Sequence, residues 1–245
     1  MSLVSAFVRN RHIAYFSMEI ALRPEIHTYA GGLGVLAGDT ARACAALELP
    51  LVFVTLVSRE GYLGQEIDPQ GRQIDRPDPW DPEPWASPLL AKVAVPIEGR
   101  EVWVRPWLYV VEGPSHYAVP VIMLDTDLKE NAPEDRQITH RLYGGDQAYR
   151  LRQEIVLGIG GVRVLTALGF EIHTYHLNEG HAALLCLELL RRHHRPADAF
   201  LPDEPSERVR ELCMACPYDV VRVREMCVFT THTPVEAGQD RSLTL

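Results

Sequence analysis

Five short apolar segments separated by helical patterns constrain the fold of this 245-residue chain more than any other feature. They are rich in the β-branched and aromatic residues that favour strands, and stretches with helical spacing of apolar residues follow several of them. Alternating strands and helices are typical of a parallel sheet covered by helices. The predicted strands are 13–18, 51–57, 119–124, 172–177 and 227–231.

Two helical stretches lie between these strands, near 34–47 and at 146–168. The second contains three glycines, which would weaken an exposed helix by about 1 kcal/mol each, so close packing against a neighbouring backbone would explain them. The residues expected to face the core are Val35, Leu36, Ala43 and Leu47 in the first helix, and Leu151, Ile155, Ile159, Val162, Leu165 and Leu168 in the second.

The stretch 60–118 departs from this alternation. Prolines and tryptophans crowd its middle, and two short extended runs follow them. This pattern predicts an antiparallel β insertion within one α/β domain, and a chain of this length can bury a large core. The predicted fold class is therefore α/β, a Rossmann-like parallel sheet with an antiparallel insertion.

A glycine-rich loop between the first strand and the first helix indicates an anion site. Gly31, Gly32, Gly34 and Gly38 can adopt positive φ and allow a ligand close to the backbone. The helix that follows offers unpaired N–H groups and the positive end of its dipole. Because the formal net charge is −9, this site would be local, and the composition argues against a nucleic-acid binder or a membrane-surface protein.

Three further segments carry polar residues where chemistry is plausible. In 175–185 we expect Asn178 to cap a helix whose first turn holds Glu179 and His181, although a capped helix with a solvent-facing histidine explains the same residues. In 227–238 a strand ends in hydroxyls and an imidazole, as strands lining an open α/β crevice do. In 142–154, Asp146 precedes a helix carrying Arg150.

Lysine and cysteine usage limits the cofactors. Lys92 and Lys129 are the two lysines, and both look like surface residues rather than the Schiff-base lysine of a pyridoxal phosphate enzyme. Five cysteines favour a reducing compartment, and a lone Cys-x-x-Cys, Cys213 to Cys216, does not make a zinc or redox site, so we expect no metal. No export signal or membrane span is visible, and we interpret the protein as cytoplasmic.

Six motifs in order along residues 13–241 resemble the N-terminal half of the α-glucan (glycogen/starch) phosphorylases, of the short prokaryotic type. Linked motifs of this kind are far more specific than a lone glycine loop. They are YFSMEIALRPEI with TYAGGLGVLAGD, LVSREGYLGQEIDPQGRQ, DTDLKENAPEDR, RLYGGDQAYRLRQEIVLGIGGVR, YHLNEGHAALL and VFTTHTPVEAGQDR.

The resemblance implies a GT-B glycosyltransferase of two Rossmann-like domains, of which 1–245 would be an incomplete N-terminal domain with its insertion at about 60–118. It implies phosphorolysis of an α-1,4-glucan to glucose 1-phosphate with pyridoxal phosphate. His232 would contact the sugar and present its carbonyl near the anomeric carbon. The expected substrate- and phosphate-binding residues are Gly31, Gly32, Leu33, Glu19, Asp146, Arg150, Asn178, Glu179, His181 and Thr233.

Departures from the family pattern limit what the resemblance implies. The C-terminal domain with the cofactor lysine is absent from this sequence, so we expect the chain alone to be inactive. It would be a truncated gene product, a fragment, or one piece of a split protein whose C-terminal domain is encoded separately, and the resemblance allows a homodimer for the full-length form. Two alternatives remain open. One is a non-catalytic module or remnant that binds sugar phosphate or glucan, and the other is a GT-B sugar-nucleotide glycosyltransferase. A glycoside hydrolase would need a pair of placed carboxylates, for which Glu19, Asp39 and Glu179 are candidates by residue type alone.

Overall fold

The computed structural model describes residues 3–194, 207 and 217–232. All five predicted strands are present, and each observed end lies within two residues of the predicted one. The strands are β1 (Ile13–Phe16), β2 (Leu51–Leu56), β3 (Leu63–Ile67), β4 (Gln73–Pro77), β5 (Ser87–Pro88), β6 (Val93–Ile97), β7 (Arg100–Glu112), β8 (Ala118–Asp125), β9 (Thr174–Asn178) and β10 (Cys227–Thr230).

The helices of the described residues lie mainly between parallel strands. They are α1 (Ser5–Val8), α2 (Gly32–Ala46), α3 (Pro133–Arg136), α4 (Gln147–Ile155), α5 (Gly161–Ala167), α6 (Leu185–Arg192) and α7 (Val220–Met226). A π-helical segment, Val156–Gly160, joins α4 to α5, and a short 3-10 turn, Gly180–Ala182, precedes α6. None of these helices is both long and apolar enough to cross a membrane.

The main sheet is mixed and has the strand order β10–β9–β1–β2–β8–β7–β5, with β6 paired to β7. The first five strands in that order run parallel to one another, whereas β7 runs antiparallel to β8. The chain moves from β1 through β2 to β8 on one side and then returns to β9 on the other side of β1. This α/β architecture is consistent with a Rossmann-like fold whose strand order reverses between β1 and β9.

The stretch 60–118 is antiparallel, as the sequence predicts. Strands β3 and β4 form a separate two-stranded hairpin, while β5 and β6 both pair antiparallel with β7. Strand β7 then extends the main sheet beyond β8 through an eight-residue antiparallel register. The insertion therefore widens the sheet on the side remote from β9 and β10.

The predicted buried face of α2 is wrong. Val35, Leu36 and Leu47 are exposed, and Ala43 also faces solvent. The buried residues are small: Gly34, Ala37, Gly38, Ala41, Cys44 and Ala45. They pack against one face of the sheet with Tyr15 and Phe53, because small side chains let the helix axis approach the strands closely.

The helix predicted at 146–168 is continuous but changes its winding at the π segment. Most of its predicted core face is confirmed, since Val162 and Leu165 are buried and Ile155, Ile159 and Leu168 pack partly buried against the core. Leu151 is exposed, while Val156 and Leu157 are fully buried. A side-chain Cβ at Gly158 would lie 2.5 Å from the backbone nitrogen of Leu185, and one at Gly161 would lie 2.6 Å from the Phe16 ring. Close packing thus accounts for these two glycines, against a backbone in the first case and a side chain in the second.

Candidate functional site

The candidate site lies at the carboxyl ends of β1, β9 and β10, where the strand order reverses. In open α/β sheets, ligands bind in the crevice beside such a reversal. Residues 17–31 follow β1, the 3-10 turn follows β9, and Thr231 and His232 follow β10. These three segments carry most of the predicted site residues.

Glu19 organises the glycine-rich loop. Its side chain is 3% exposed, and its Oε2 accepts hydrogen bonds from the backbone N–H of Ala30 at 2.7 Å and of Gly31 at 3.1 Å. Its Oε1 accepts a bond from the hydroxyl of Tyr143 at 2.9 Å. The carboxylate therefore holds the loop in place, and the N–H of Gly31 is already used within the protein.

The sequence suggests positive φ for the glycines of this loop, but none of them adopts it. Two of them are needed for close packing. A Cβ at Gly34 would lie 2.4 Å from the Cβ of Tyr29, and one at Gly38 would lie 2.0 Å from the carbonyl oxygen of Ala21. At Gly31 and Gly32, by contrast, no atom lies within 4 Å of an added Cβ, so the backbone there is open to a ligand.

The N–H groups of Gly32 and Leu33 lie in the first turn of α2. Within the described residues, neither group donates a hydrogen bond to the protein. The first N–H groups of a helix lack intrahelical partners, and they form the positive end of the helix dipole. With 15 residues in α2 behind them, these two donors can bind an anion at the crevice.

A chain of hydrogen bonds joins the ends of the three strands. Ser17 donates its hydroxyl proton to the carbonyl of Glu19 at 2.6 Å and accepts a bond from Nδ2 of Asn178 at 3.1 Å. Oδ1 of Asn178 in turn accepts a bond from Nε2 of His232 at 3.1 Å. With Nε2 protonated, Nδ1 of His232 is the acceptor of the neutral ring.

Asn178 is the last residue of β9 and is fully buried, so the prediction that it caps a helix is wrong. Its side-chain amide forms hydrogen bonds with Ser17 after β1 and His232 after β10, and not with the helix that follows. Glu179 takes the position before the 3-10 turn and makes no side-chain cap. His181 lies in that turn and is half-buried rather than solvent-facing.

Glu179 holds the segment after β10. Its two carboxylate oxygens accept bonds from the backbone N–H of His232 and the hydroxyl of Thr231, and its own N–H donates to the carbonyl of Thr230. Its backbone has φ 64° and ψ 173°, a conformation almost confined to glycine that costs about 1–3 kcal/mol. Strained backbone of this kind is common at functional sites.

Tyr143 contacts three of the predicted site residues, Glu19, His181 and Arg150, but was not itself predicted from the sequence. Its φ is 53°, its hydroxyl reaches Glu19, and its ring lies 5.2 Å from that of His181. The guanidinium carbon of Arg150 lies 5.5 Å from the same ring. The only local signal is its position before Gly144 and Gly145, where a tight turn is expected.

Asp146 is the N-cap of α4, and its carboxylate accepts the N–H of Tyr149 at 2.9 Å. It is exposed beside the crevice, whereas Arg150 faces Tyr143 from the same helix. A chain of contacts that includes Ser17 and Tyr143 therefore links the predicted site residues: Glu19, the loop amides, Asn178, Glu179, His181, Arg150 and His232. Thr233 lies outside the described residues, as does the Cys213–Cys216 pair.

His176 lies behind His232 on β9. Its Nε2 is 2.7 Å from the hydroxyl of Thr230. Burial lowers the pKa of the His176 imidazole, and the nearby His232 ring lowers it further. His176 is therefore neutral at neutral pH and does not add positive charge to the crevice.

Neither lysine lies at the crevice. Lys92 forms an ion pair with Glu130 at 2.5 Å next to β6, and Lys129 is exposed in the same region. The side chains that line the crevice therefore do not fit covalent attachment of an aldehyde cofactor. Within the residues that the structure describes, no cluster of His, Cys, Asp and Glu side chains is arranged to hold a metal ion.

These observations define the class of the protein. It is an α/β domain with a polar crevice at the reversal of its strand order, where backbone N–H groups, an imidazole and carboxylates meet. No protein-family model matches the chain.

Similar proteins narrow that class. The chain is 36% identical over 238 residues to the maltodextrin phosphorylase of Thermococcus litoralis, and 37% identical over 247 residues to the glycogen phosphorylase of Mycobacterium tuberculosis. It is 32% identical over 236 residues to the glycogen phosphorylase of Aquifex aeolicus. By this similarity the chain belongs to the α-glucan phosphorylase family.

The similarity covers 92–94% of this chain but only 26–31% of those three relatives. The chain therefore spans about a quarter to a third of the length of the curated relatives it matches, consistent with their N-terminal part.

Proposed function

We propose that this chain forms the sugar- and phosphate-binding wall of an α-1,4-glucan phosphorylase, which converts glucan and inorganic phosphate to glucose 1-phosphate. The proposal rests on the N–H donors of Gly32 and Leu33, which have no acceptor among the described residues and lie after β1, at the same edge of the sheet as His232 after β10. In this proposal, N–H groups that donate hydrogen bonds to a phosphate lie at the same edge of the sheet as an imidazole nitrogen that accepts one from a sugar hydroxyl. The relatives named above are phosphorylases, which supports the same reading.

Each residue of the crevice has a distinct proposed role. Gly32 and Leu33 bind the phosphate through backbone N–H, while Glu19 positions their loop through Ala30 and Gly31. Because Nε2 of His232 donates to Asn178, Nδ1 is left to accept a hydrogen bond from a sugar hydroxyl. The carbonyl of His232 would face the anomeric carbon, where its dipole stabilises developing positive charge.

Asn178 and Glu179 are positioning residues in this proposal. Asn178 fixes the ring of His232, and Glu179 fixes its backbone through the N–H. Arg150 and His181 flank Tyr143 and would meet the substrate at the entrance of the crevice. Asp146 supports Arg150 indirectly because it caps the helix that carries it, and Thr233 would extend the segment after His232.

Pyridoxal phosphate, the family's cofactor, supplies a phosphate group for proton transfer in phosphorolysis. This chain does not offer a lysine to it at the crevice, since Lys92 is paired with Glu130 elsewhere. We propose that binding, but not turnover, is a property of these 245 residues. A second GT-B domain carrying the lysine would supply the opposite wall, and the complete enzyme would form the homodimer.

Calorimetric titration of the purified chain with glucose 1-phosphate tests the proposal. We expect saturable 1:1 binding, weakened about tenfold, or about 1.4 kcal/mol, in Gly32→Val, whose side chain would cover the loop donors. Val35→Ala, an exposed position on the same helix, is the matched control and should bind as the parent does.

Glucose and a sugar nucleotide are the comparison ligands. Glucose lacks the phosphate and should bind at least tenfold more weakly than glucose 1-phosphate. Tighter binding of the sugar nucleotide would favour a glycosyltransferase instead. Absence of binding, or equal binding by Gly32→Val and the parent chain, would reject the proposed phosphate site.

A further inference from the structure

Two cysteines far apart in sequence meet behind the crevice. The Sγ atoms of Cys186, on α6, and Cys227, the first residue of β10, lie 3.9 Å apart although 41 positions separate the residues. Both side chains are partly buried and pack against the apolar cluster that contains Leu177 and Leu185. Their contact joins a helix on one face of the sheet to the outermost strand of the described sheet.

The two sulfurs are in van der Waals contact. A disulfide has an S–S length near 2.05 Å, so the two sulfurs need to approach by about 2 Å. Such a shift is within the reach of side-chain rotation and a small movement of an edge strand, and β10 is hydrogen-bonded to the described sheet on one side only, through β9.

The two thiols also differ in acidity. A hydrogen bond from the thiol of Cys227 lowers the pKa of Cys186 to about 7, and the same contact and burial raise that of Cys227. Cys186 thus has the thiolate character that nucleophilic cysteines need. Cys44, in contrast, lies on the face of α2 that packs against the sheet and is 4% exposed, and burial raises the pKa of its thiol.

We propose that Cys186 and Cys227 form a redox modification site that closes to an intramolecular disulfide when it meets a low-molecular-weight disulfide such as oxidised glutathione. The Cys186 thiolate attacks one sulfur of the oxidant and expels one glutathione thiolate. Cys227 then loses its proton and attacks the sulfur of Cys186, and the second glutathione leaves. The cysteine pair is oxidised and the glutathione disulfide is reduced to two thiols.

The disulfide would tie β10 to α6. Strand β10 leads within three residues to Thr231 and His232, whose contacts with Glu179 hold the crevice together. Oxidation would therefore restrict the edge strand from which these residues extend. This inference rests on the cysteine geometry and does not depend on the ligand of the crevice.

Peptide mapping of the native chain tests the proposal directly, because trypsin separates the cysteines. Cys186 lies in peptide 164–191, Cys227 in 225–241, Cys44 in 43–59, and Cys213 with Cys216 in 211–222. After incubation with oxidised glutathione and alkylation, we expect peptides 164–191 and 225–241 joined, with a mass two hydrogens below their sum. A thiol reductant should separate them.

Two variants complete the test. Cys213→Ser with Cys216→Ser should retain the cross-link, and Cys227→Ser should lose it. Oxidation should raise the thermal midpoint of the parent chain by about 5–10 °C and leave that of Cys227→Ser unchanged. Glutathione adducts without a cross-link, a cross-link to peptide 211–222, or free Cys186 and Cys227 thiols after oxidation would each overturn the proposal.

Discussion

Nε2 of His232 donates a hydrogen bond to Oδ1 of Asn178 across 3.1 Å and so ties the segment after β10 to the last residue of β9. The other end of the Asn178 amide bonds to Ser17, just after β1. Three neighbouring parallel strands therefore end in one hydrogen-bonded chain. The orientation of the His232 ring depends on groups that are buried beneath it.

A double-mutant cycle measures that dependence. Asn178→Ala should lower the free energy of unfolding by about 1–3 kcal/mol because it removes a buried amide and leaves the Ser17 hydroxyl unpaired. His232→Ala, at an exposed residue, should cost less. We expect a coupling of about 0.5–1.5 kcal/mol between the two changes by urea denaturation. Strict additivity would mean that the contact does not orient His232.

The role of Glu19 predicts a large effect of its removal. Glu19→Ala should lower the free energy of unfolding by about 2–4 kcal/mol, since two loop N–H groups and the hydroxyl of Tyr143 lose their acceptor. Tyr143→Phe removes one of these bonds and should cost about 0.5–1.5 kcal/mol. Denaturant unfolding compares the two variants, and an equal cost would show that the loop amides do not depend on Glu19.

Two glycines of the same helix should respond differently to alanine. A Cβ at Gly38 would meet the carbonyl oxygen of Ala21 at 2.0 Å, so Gly38→Ala should destabilise the protein by about 2–3 kcal/mol. Gly32→Ala places its methyl group in open space and should leave the free energy of unfolding within about 0.5 kcal/mol of the parent value. Thermal unfolding of both variants checks this contrast. Similar midpoints would show that α2 does not approach residue 21 as closely as the structure indicates.

The pH dependence of stability should reveal the buried Glu188. Burial alone would raise the pKa of this carboxyl, but hydrogen bonds from Arg191 and Arg163 outweigh it and lower the pKa to about 2. Because the folded value lies below the ordinary 4.5, the ionised group stabilises the fold above pH 4.5. That contribution is lost as the pH falls from 4.5 towards 2.

Glu188→Gln should therefore lower the free energy of unfolding at pH 7 by about 2–3 kcal/mol, less than for a fully buried ion pair because the arginines are partly solvated. The difference from the parent chain should shrink between pH 5 and pH 3. Urea denaturation across that range is the measurement, with the exposed Glu171→Gln as control. A difference independent of pH would exclude an ionised Glu188 as its source.

Local sequence patterns predict the strands of this fold well, because apolar β-rich runs reflect burial on both faces of a parallel sheet. They fail for the buried face of α2, since periodicity gives weight to Val35 and Leu36 while the close contact is made by Ala37 and Gly38. They do better for the helix at 146–168, where Val162 and Leu165 are buried and Leu151 is the exposed exception, although no local pattern predicts the π segment.

The sequence indicates which residues belong to the candidate site better than it indicates the contacts between them. Asn178 resembles a helix cap locally, yet its partners Ser17 and His232 are 161 and 54 positions away. Tyr143 gives no local signal of its bond to Glu19, which is 124 positions away. Such contacts depend on the order of the strands in the sheet, and a local pattern does not encode that order.

The central claim is that the first turn of α2 binds the phosphate of a sugar phosphate beside His232. The most direct measurement is a titration of the isotope-labelled chain with glucose 1-phosphate, followed by the backbone amide resonances. We expect large, saturable shifts at Gly32 and Leu33, with smaller shifts at His232, and little change in the β3–β4 hairpin. Saturable binding that leaves Gly32 and Leu33 unshifted would contradict it.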